Sequence, residues 1–261
     1  MTNFWKLERH ADVATLTIDN PPVNALSQAA LAELHTQLQA LAESTDATVR
    51  AVIITGTGEK AFVAGANIKE INALADASAG GEFGMAALEL ARLMRRLPFP
   101  IIAAINGVAY GGGCELALMC DMRIASQHAR LALPEITLGL MPGWGGSVRV
   151  ARQAGASTAL WMALTGDPIG ADDALRLGLV DRVVPGAELM NTAHTLASRI
   201  ASMSAPVVAT IKATIWAGVD APLDEALTAE CQTFATVVVG TDAKEGTAAF
   251  LGKRAPVWSD R

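Results

Sequence analysis

The sequence contains few cysteines, and this scarcity limits its covalent chemistry. Its 261 residues include three of them, Cys114, Cys120 and Cys231, and no two are spaced as C-x-x-C. An odd number without that spacing supports neither a disulfide framework nor a cysteine zinc site. The N-terminus is charged where a secretory signal would need an apolar run. We therefore expect a reducing, cytoplasmic location.

Charged residues are also scarce, at 18% of the chain against 51% hydrophobic. This composition excludes disorder, collagen and coiled coils, and we expect a partner to cover some of the apolar surface. The net charge of −6 argues against nucleic acid and anionic membranes as partners. A polyanionic ligand would have to be bound by a local site.

The stretch from residue 97 to 114 has no acidic or basic side chain and is about as long as a membrane span. It is interrupted by Pro98, Pro100 and the glycine run 111–113. A lipid-exposed helix tolerates such residues poorly. We interpret the stretch instead as a buried strand, a turn and the start of a buried helix.

The common nucleotide and metal motifs are absent as well. The sequence has no G-x-x-x-x-G-K-[ST], no H-E-x-x-H and no G-x-G-x-x-G, and the segment around Ser147 lacks the last glycine of G-x-S-x-G. No metal ligand set is predicted. Four histidines match no ligand or triad spacing and are interpreted as structural or surface residues: His10, His35, His128 and His194.

Strand and helix patterns alternate through the first two thirds of the chain, which is typical of α/β proteins. Residues 12–19 alternate as a half-buried strand does, whereas 51–55 and 101–105 are continuous apolar runs typical of buried parallel strands. Ser27 is a candidate N-cap for a helix. The apolar stripe of that helix is Leu31, Leu34, Leu38 and Leu41. A second helical stripe comprises Leu90, Leu93, Met94 and Leu97.

Two further segments differ in character from this pattern. Residues 73–85 are rich in Gly, Ala and Ser, and we interpret them as a mobile lid or a poorly packed surface loop. Beyond about residue 190, the segments 196–211 and 223–239 read as helices without clear strands between them. An α-helical C-terminal part is therefore expected after an α/β core.

The glycine run 111–113 leads into a helical pattern, where free N–H groups and the helix dipole would stabilise an oxyanion. Glu115 lies on the apolar stripe of this helix. A carboxylate there is paired, shifted in pKa or used in catalysis. A buried Arg or Lys partner, or a position near the exposed helix start, is the structural alternative.

Glu135 is a second carboxylate in apolar surroundings, and two such groups suit acid and base catalysis. Its structural alternative is helix capping after Pro134. The glycine-rich segment 143–146 follows it, and Gly65 lies in another small-residue segment just after the strand 51–55. Ligands of α/β sheets commonly bind at such strand ends.

These residues resemble the enoyl-CoA hydratase/isomerase (crotonase) superfamily over nearly the whole chain. Six blocks carry the resemblance, in family order: NPPVNALS (20–27), AFVAGANIKE (61–70), PIIAAINGVAYGGGCELALMCD (100–121), LPEITLGLMPGWGG (133–146), LTGDPIGADDALRLGLVDRVV (164–184) and DAKEGTAAFLGKR (242–254). The resemblance implies a spiral of strand–strand–helix turns. Residues 1–190 would hold the CoA and acyl site, and 191–261 would form helices that mediate trimers, commonly paired into hexamers.

The resemblance also implies roles for individual residues. Ala66 and Gly112 would supply the oxyanion-hole N–H groups that bind the thioester carbonyl. Glu115 and Glu135 would hold one water above the double bond of a trans-2-enoyl-CoA, giving 3-hydroxyacyl-CoA. The substrate would bring its own CoA, so no separate cofactor is expected.

Further residues would bind the CoA moiety or the acyl chain. Lys69 would be the cation for the CoA phosphates, and a solvated helix lysine is its structural alternative. Asn67 and Trp144 depart from the usual family pattern, and an indole beside Glu135 would narrow the acyl pocket. The other candidate binding residues are Ala64, Ile68 and Gly143.

Three rival readings stay open. The nearest is another reaction on the same scaffold, such as double-bond isomerisation with one Glu carrying a proton between C2 and C4. A non-catalytic binding protein, including one that binds RNA, is disfavoured by the acidic balance and the lack of a Lys/Arg cluster. A membrane-embedded protein would rest on the uncharged stretch 97–114 and on the positive mean hydropathy.

Overall fold

The fold is described by a computed structural model over residues 3–44 and 49–259, which form ten strands and eleven α-helices. The strands are β1 (Trp5–His10), β2 (Val13–Ile18), β3 (Ala51–Gly56), β4 (Ala61–Val63), β5 (Ile101–Ile105), β6 (Val108–Tyr110), β7 (Met122–Ser126), β8 (Arg130–Ala132), β9 (Ile169–Gly170) and β10 (Arg182–Val184). The helices are α1 (Gln28–Glu43), α2 (Ile68–Asn72), α3 (Ala77–Arg96), α4 (Gly112–Met119), α5 (Gly146–Ala154), α6 (Ala156–Thr165), α7 (Ala171–Arg176), α8 (Leu189–Ala201), α9 (Ala205–Val219), α10 (Leu223–Val237) and α11 (Thr241–Leu251).

The strands form two sheets that the chain visits in turn. One sheet has the order β1-β2-β3-β5-β7-β10 and is parallel except for the β1–β2 pair, and the other has the order β4-β6-β8-β9. Each turn adds a strand to the first sheet, a strand to the second and then helix, as in β3–β4–α2 and β5–β6–α4. This confirms the predicted spiral of strand–strand–helix turns.

The buried elements of the core match most of the sequence predictions. Helix α1 begins after Ser27, whose hydroxyl accepts a hydrogen bond from the Ala30 N–H at 3.0 Å. All residues of β3 and β5 are buried, as predicted for parallel strands. The uncharged stretch 97–114 forms β5, β6 and the first turn of α4, so its interpretation as buried structure is confirmed.

The interpretation of β2 as a half-buried strand is wrong, because Val13 and Thr15 are buried together with residues 14, 16 and 18 of the opposite face. Helix α8, far away in the sequence, covers the other face of the sheet through Leu189, Ala193 and Ala197. The alternation of residues within β2 does not show that a helix distant in the sequence packs on its second face.

The interpretation of residues 73–85 as a surface loop is also wrong, and their movement as a lid stays a prediction. Residues from Ala77 onward form the first turns of α3, which runs for 20 residues. The Asp76 side chain caps this helix by accepting a hydrogen bond from the Ala79 N–H at 2.9 Å. Its second half packs in the core, so the glycine-rich first half continues an anchored helix.

The C-terminal region is helical, as predicted, but 196–211 is not one helix. Helix α8 ends at Ala201, and α9 begins after Ser204, whose hydroxyl accepts from the Val207 N–H at 3.4 Å. Buried Lys212 attaches α9 to the core by donating to the carbonyls of Met94 and Phe99. The division at residue 190 stays a prediction.

Among the described residues, no single helix is long and apolar enough to cross a membrane. One pair, Gly186–Ala201 and Ala205–Val219, reaches the required length and hydropathy only when its members are joined, and it is bent by 107°.

Candidate active site

A cavity of about 430 Å³ lies where the first turn of α4, the segment after β4, the first half of α3 and the loop from 134 to 144 meet. It brings together most of the predicted site residues. Those lining it are Ala64, Ala66, Ile68, Gly112, Glu115, Glu135, Gly143 and Trp144.

Ala66 has a free backbone N–H group because of its pairing with Leu26. The two residues form an isolated parallel β-bridge, whose hydrogen bonds involve the neighbours of Ala66. The Leu26 N–H donates to the Gly65 carbonyl at 2.9 Å, and the Asn67 N–H donates to the Leu26 carbonyl at 2.7 Å. The Ala66 N–H therefore lies outside the bridge, on the side of the cavity.

Gly112 is the first residue of α4, so its N–H has no acceptor within the helix. A β-carbon at Gly112 would lie 3.3 Å from the Ala66 nitrogen, which places the two backbone donors side by side. A β-carbon at Gly113 would lie 2.0 Å from the Val63 carbonyl oxygen. The glycine run thus allows α4 to approach β4 closely enough to pair these donors.

Glu115 lies on the first turn of α4 and is 2% exposed. Its Oε1 accepts hydrogen bonds from the Trp144 N–H and the Gly146 N–H, both at 2.8 Å. Gly146 is the first residue of α5, and the dipole of this helix favours a negative charge at its start. The predicted alternative of an Arg or Lys ion pair is not found among the described residues: backbone donors hold this carboxyl group, and Arg149 acts on it through its charge alone.

Glu135 faces the same cavity from the 3-10 helix Pro134–Leu138. Its Oε1 lies 3.2 Å from the position of a β-carbon on Gly111, at the start of α4. Its Oε2 is buried and has no hydrogen-bond partner among the described residues. A buried carboxyl oxygen without a donor is costly unless a proton or a ligand satisfies it.

Burial shifts the titration of both carboxyl groups toward neutral pH. The pKa of Glu115 rises to about 7, mainly because burial disfavours its charge, while the Gly146 N–H opposes the shift. The nearby charge of Glu135 raises this pKa further. The pKa of Glu135 is also raised by burial. The two groups therefore interact electrostatically across one cavity, as acid and base pairs do.

Trp144 forms one wall of the cavity. Its ring stacks on Phe83 of α3, with 5.4 Å between ring centroids and 29° between planes. The same ring covers Gly112, because a β-carbon there would lie 2.5 Å from its Cζ3. The indole thus restricts the space beside the two backbone donors, in agreement with the expected narrowing.

The predicted CoA-binding residues do not all reach the cavity. Ala64 and Ile68 line it, but Asn67 caps α2, its Oδ1 accepting from the Lys69 N–H at 3.1 Å. Lys69 is exposed on α2 and is not among the residues that line the cavity. Its role toward CoA stays a prediction.

The sequence reading missed the wall formed by α3. Phe83 and Gly84 of that helix line the cavity, together with Leu74 just before it. Asp76 was the available signal, because Asp is a preferred N-cap residue and stands directly before the first residue of α3.

The remaining polar candidates lie elsewhere. His10 and His194 contact each other at 5.9 Å between ring centroids, and His128 hydrogen-bonds Ser126. Over residues 3–44 and 49–259, no group of three or more His, Cys, Asp and Glu side chains is arranged to hold a metal ion.

Comparison with known proteins shows the family of this chain. The family model for "Enoyl-CoA hydratase/isomerase" matches residues 8–261. The short-chain-enoyl-CoA hydratase of Clostridium acetobutylicum is 41% identical over 95% of this chain and 94% of its own. The crotonyl-CoA hydratase of Syntrophomonas wolfei is 40% identical over 95% of both chains. The solved structure of an enoyl-CoA hydratase from Bacillus anthracis superposes with a TM-score of 0.92 at 36% identity, covering 99% of this chain and 100% of that one.

This chain belongs to the enoyl-CoA hydratase/isomerase family.

Proposed function

We propose that the protein is an enzyme that hydrates trans-2-enoyl-CoA to 3-hydroxyacyl-CoA. The observation that carries this proposal is the pair Glu115 and Glu135, whose carboxyl groups face one cavity beside the N–H groups of Ala66 and Gly112. Family chemistries that keep one carboxylate would not need both. The names of the hydratase relatives support the same reaction.

In the proposed mechanism, the thioester oxygen accepts hydrogen bonds from the Ala66 and Gly112 N–H groups. These donors stabilise the enolate that forms when water adds, and losing one such donor typically costs about 10²- to 10³-fold in rate. The water oxygen bonds to C3 as the C2=C3 π bond breaks, the water gives one proton to a glutamate, and a carboxyl group of the pair gives one proton to C2. Glu115 and Glu135 hold the water and share these transfers as a coupled pair.

No cofactor beyond the substrate's own CoA is required for this addition. The phosphates of CoA would bind near Lys69, which is exposed on α2 at the edge of the cavity segment 64–68. A protein of net charge −6 must bind this polyanion at a local site.

We infer a preference for short acyl chains. The indole of Trp144 stacks on Phe83 and lies over Gly112, and so takes up space that a longer chain would need. The relatives named for short-chain and crotonyl substrates support this preference.

The direct test is a spectrophotometric assay with crotonyl-CoA, in which hydration removes the enoyl thioester absorbance. Glu115→Gln and Glu135→Gln should each lower kcat by at least about 10²-fold. Glu89→Gln is the matched control, because Glu89 is exposed on α3 and pairs with Arg92. Unchanged turnover in both active-site variants would overturn the mechanism.

Isomerisation is the second candidate function, because the family description includes it. Mass spectrometry of the product distinguishes the two reactions, since hydration adds the mass of one water and isomerisation adds none. We further propose a homotrimer, or a hexamer made of two trimers, as the family resemblance implies, and the apolar side chains exposed on the C-terminal helices support an assembly. A cytoplasmic location stays a prediction.

A further inference from the structure

Arg149 lies behind Glu115, outside the groups that would touch substrate. It belongs to the first turn of α5, and its Nη1 donates a hydrogen bond to the Trp144 carbonyl at 2.7 Å. The N–H of the same Trp144 residue donates to Glu115 Oε1. Arg149 therefore binds the carbonyl of Trp144, and the N–H of the same residue binds the Glu115 carboxyl group.

Gly145 makes this contact possible. Its φ is +98°, a conformation that favours glycine, and a β-carbon there would lie 2.1 Å from Arg149 Nη1. The guanidinium thus passes directly over the Gly145 backbone to reach the Trp144 carbonyl. A side chain at this position would displace it.

The other arginines nearby are engaged elsewhere. Arg95 of α3 and Arg152 of α5 both bind Asp220 at the end of α9. Arg149 has no such carboxylate partner among the described residues, and its positive charge acts on Glu115. Over the part of the chain that the structure describes, Arg149 is thus the cation that acts on the Glu115 carboxyl group.

The remaining titratable groups around Glu115 are few. Glu135 faces it from the 3-10 helix, and the buried Cys114 thiol precedes it on α4. Tyr110 lies on β6, the strand that packs against α4, and Arg95 is the basic residue of α3 that acts on Arg149. Removing the Arg149 charge leaves Glu115 facing Glu135 without a nearby cation.

We propose that Arg149 is a positioning residue, which aims the Glu115 carboxyl group by fixing the loop 144–146 through the Trp144 carbonyl. This role deepens the proposed hydratase function and rests on it. Arg149 touches neither substrate nor reacting atoms. It acts on the position and the charge of the Glu115 carboxyl group, which does touch them.

The kinetic test compares Arg149→Met with Arg152→Met, the matched control on the same helix. Arg149→Met should lower kcat by about 10- to 100-fold with little change in KM, because a misaimed catalytic group costs up to about 10²-fold. In the pH profile of Arg149→Met, the apparent pKa assigned to Glu115 should rise, because the cation that lowers this pKa is gone. Arg152→Met should leave both unchanged.

Two further variants separate positioning from charge. Arg149→Lys keeps the charge but not the planar guanidinium that reaches the Trp144 carbonyl. The pKa of Glu115 should therefore return to its native value, while kcat stays low. In Gly145→Ala, the new methyl displaces the guanidinium, so the double variant with Arg149→Met should lose little more than Gly145→Ala alone. Full kcat in Arg149→Met, or additive losses in the double variant, would overturn the proposal.

A measurement without substrate keeps this inference distinct from the proposed function. In protein labelled with 13C at the glutamate carboxyl groups, the Glu115 signal is assigned by its loss in Glu115→Gln. Its titration midpoint should rise in Arg149→Met and stay constant in Arg152→Met. If no enoyl-CoA is hydrated but this shift is found, the function fails and the coupling of Arg149 to Glu115 stands; an unchanged midpoint removes the coupling.

Discussion

At the scale of single residues, Glu115 illustrates how a catalytic carboxyl group costs stability. Burial raises its pKa from 4.5 to about 7. Between these values the folded protein holds the proton while the unfolded chain releases it, so the free energy of unfolding falls as pH rises. The cost is complete above about pH 7.

Glu115→Gln should therefore be more stable than the native protein at about pH 8, by up to about 3 kcal/mol, and equally stable at about pH 4. The amide oxygen still accepts from the Trp144 and Gly146 N–H groups, whereas the charge penalty is gone. Urea unfolding at both pH values measures the difference. Glu89→Gln should show no such gain, and a stability loss in Glu115→Gln at the higher pH would contradict the assigned burial cost.

The two glutamates were predictable at this scale because each stands alone among apolar residues. That they share one cavity was predicted from the family resemblance and not from spacing. The donors that hold Glu115 were not predictable, since the Trp144 and Gly146 N–H groups come from a loop about thirty residues away. The Asn67 side chain caps α2, which is a local bond that needs no ligand, and the role of Asn67 in CoA binding stays a prediction.

At the scale of elements, the first half of α3 forms a wall of the cavity, and an aromatic stack connects it to the opposite wall. Phe83 of α3 meets Trp144 of the loop before α5. The glycine-rich sequence of this segment gave only a weak helical pattern. The Asp76 cap and the packing of the second half of α3 outweigh that local weakness.

Trp144→Ala should remove this stack and enlarge the cavity beside Gly112. We expect kcat/KM to shift from crotonyl-CoA toward enoyl-CoA substrates with longer chains, because the indole no longer occupies their space. Trp161→Ala on α6 is the control, since that ring is 62% exposed and lies outside the cavity. A chain-length profile that Trp144→Ala leaves unchanged would count against the short-chain preference.

Periodicity predicted the strands and helices correctly where the residues that bury them are visible in the local sequence pattern. Helix α1 was predicted through Ser27 and its leucine stripe, and the buried strands β3 and β5 through their continuous apolar runs. The errors arose at β2, where α8 covers the second face, and at the break between α8 and α9. Both depend on contacts far apart in the sequence.

At the scale of the whole molecule, the apolar excess of the composition reappears as exposed side chains. Many of them lie on the C-terminal helices, and their exposure is costly unless a partner covers them. Examples on these helices are Ile211, Ile215, Leu223, Phe234, Phe250 and Leu251.

We expect sedimentation velocity to detect a trimer or a hexamer rather than a monomer. Replacing Phe250, which is 83% exposed, or Phe234, which is 64% exposed, by Glu should shift the distribution toward smaller species. Gln39→Glu on α1 adds the same charge at an exposed polar position and should leave assembly unchanged. A native protein that sediments as a monomer at micromolar concentration would contradict the proposed assembly.

The central claim is that this cavity adds water across an enoyl thioester, and labelled water tests it most directly. When crotonyl-CoA is incubated with the protein in H₂18O, the product should be 3-hydroxybutyryl-CoA that carries the label on C3. Glu115→Gln and Glu135→Gln should form it at least about 10²-fold more slowly. A product of unchanged mass, or label incorporation that does not depend on these two glutamates, would contradict the account.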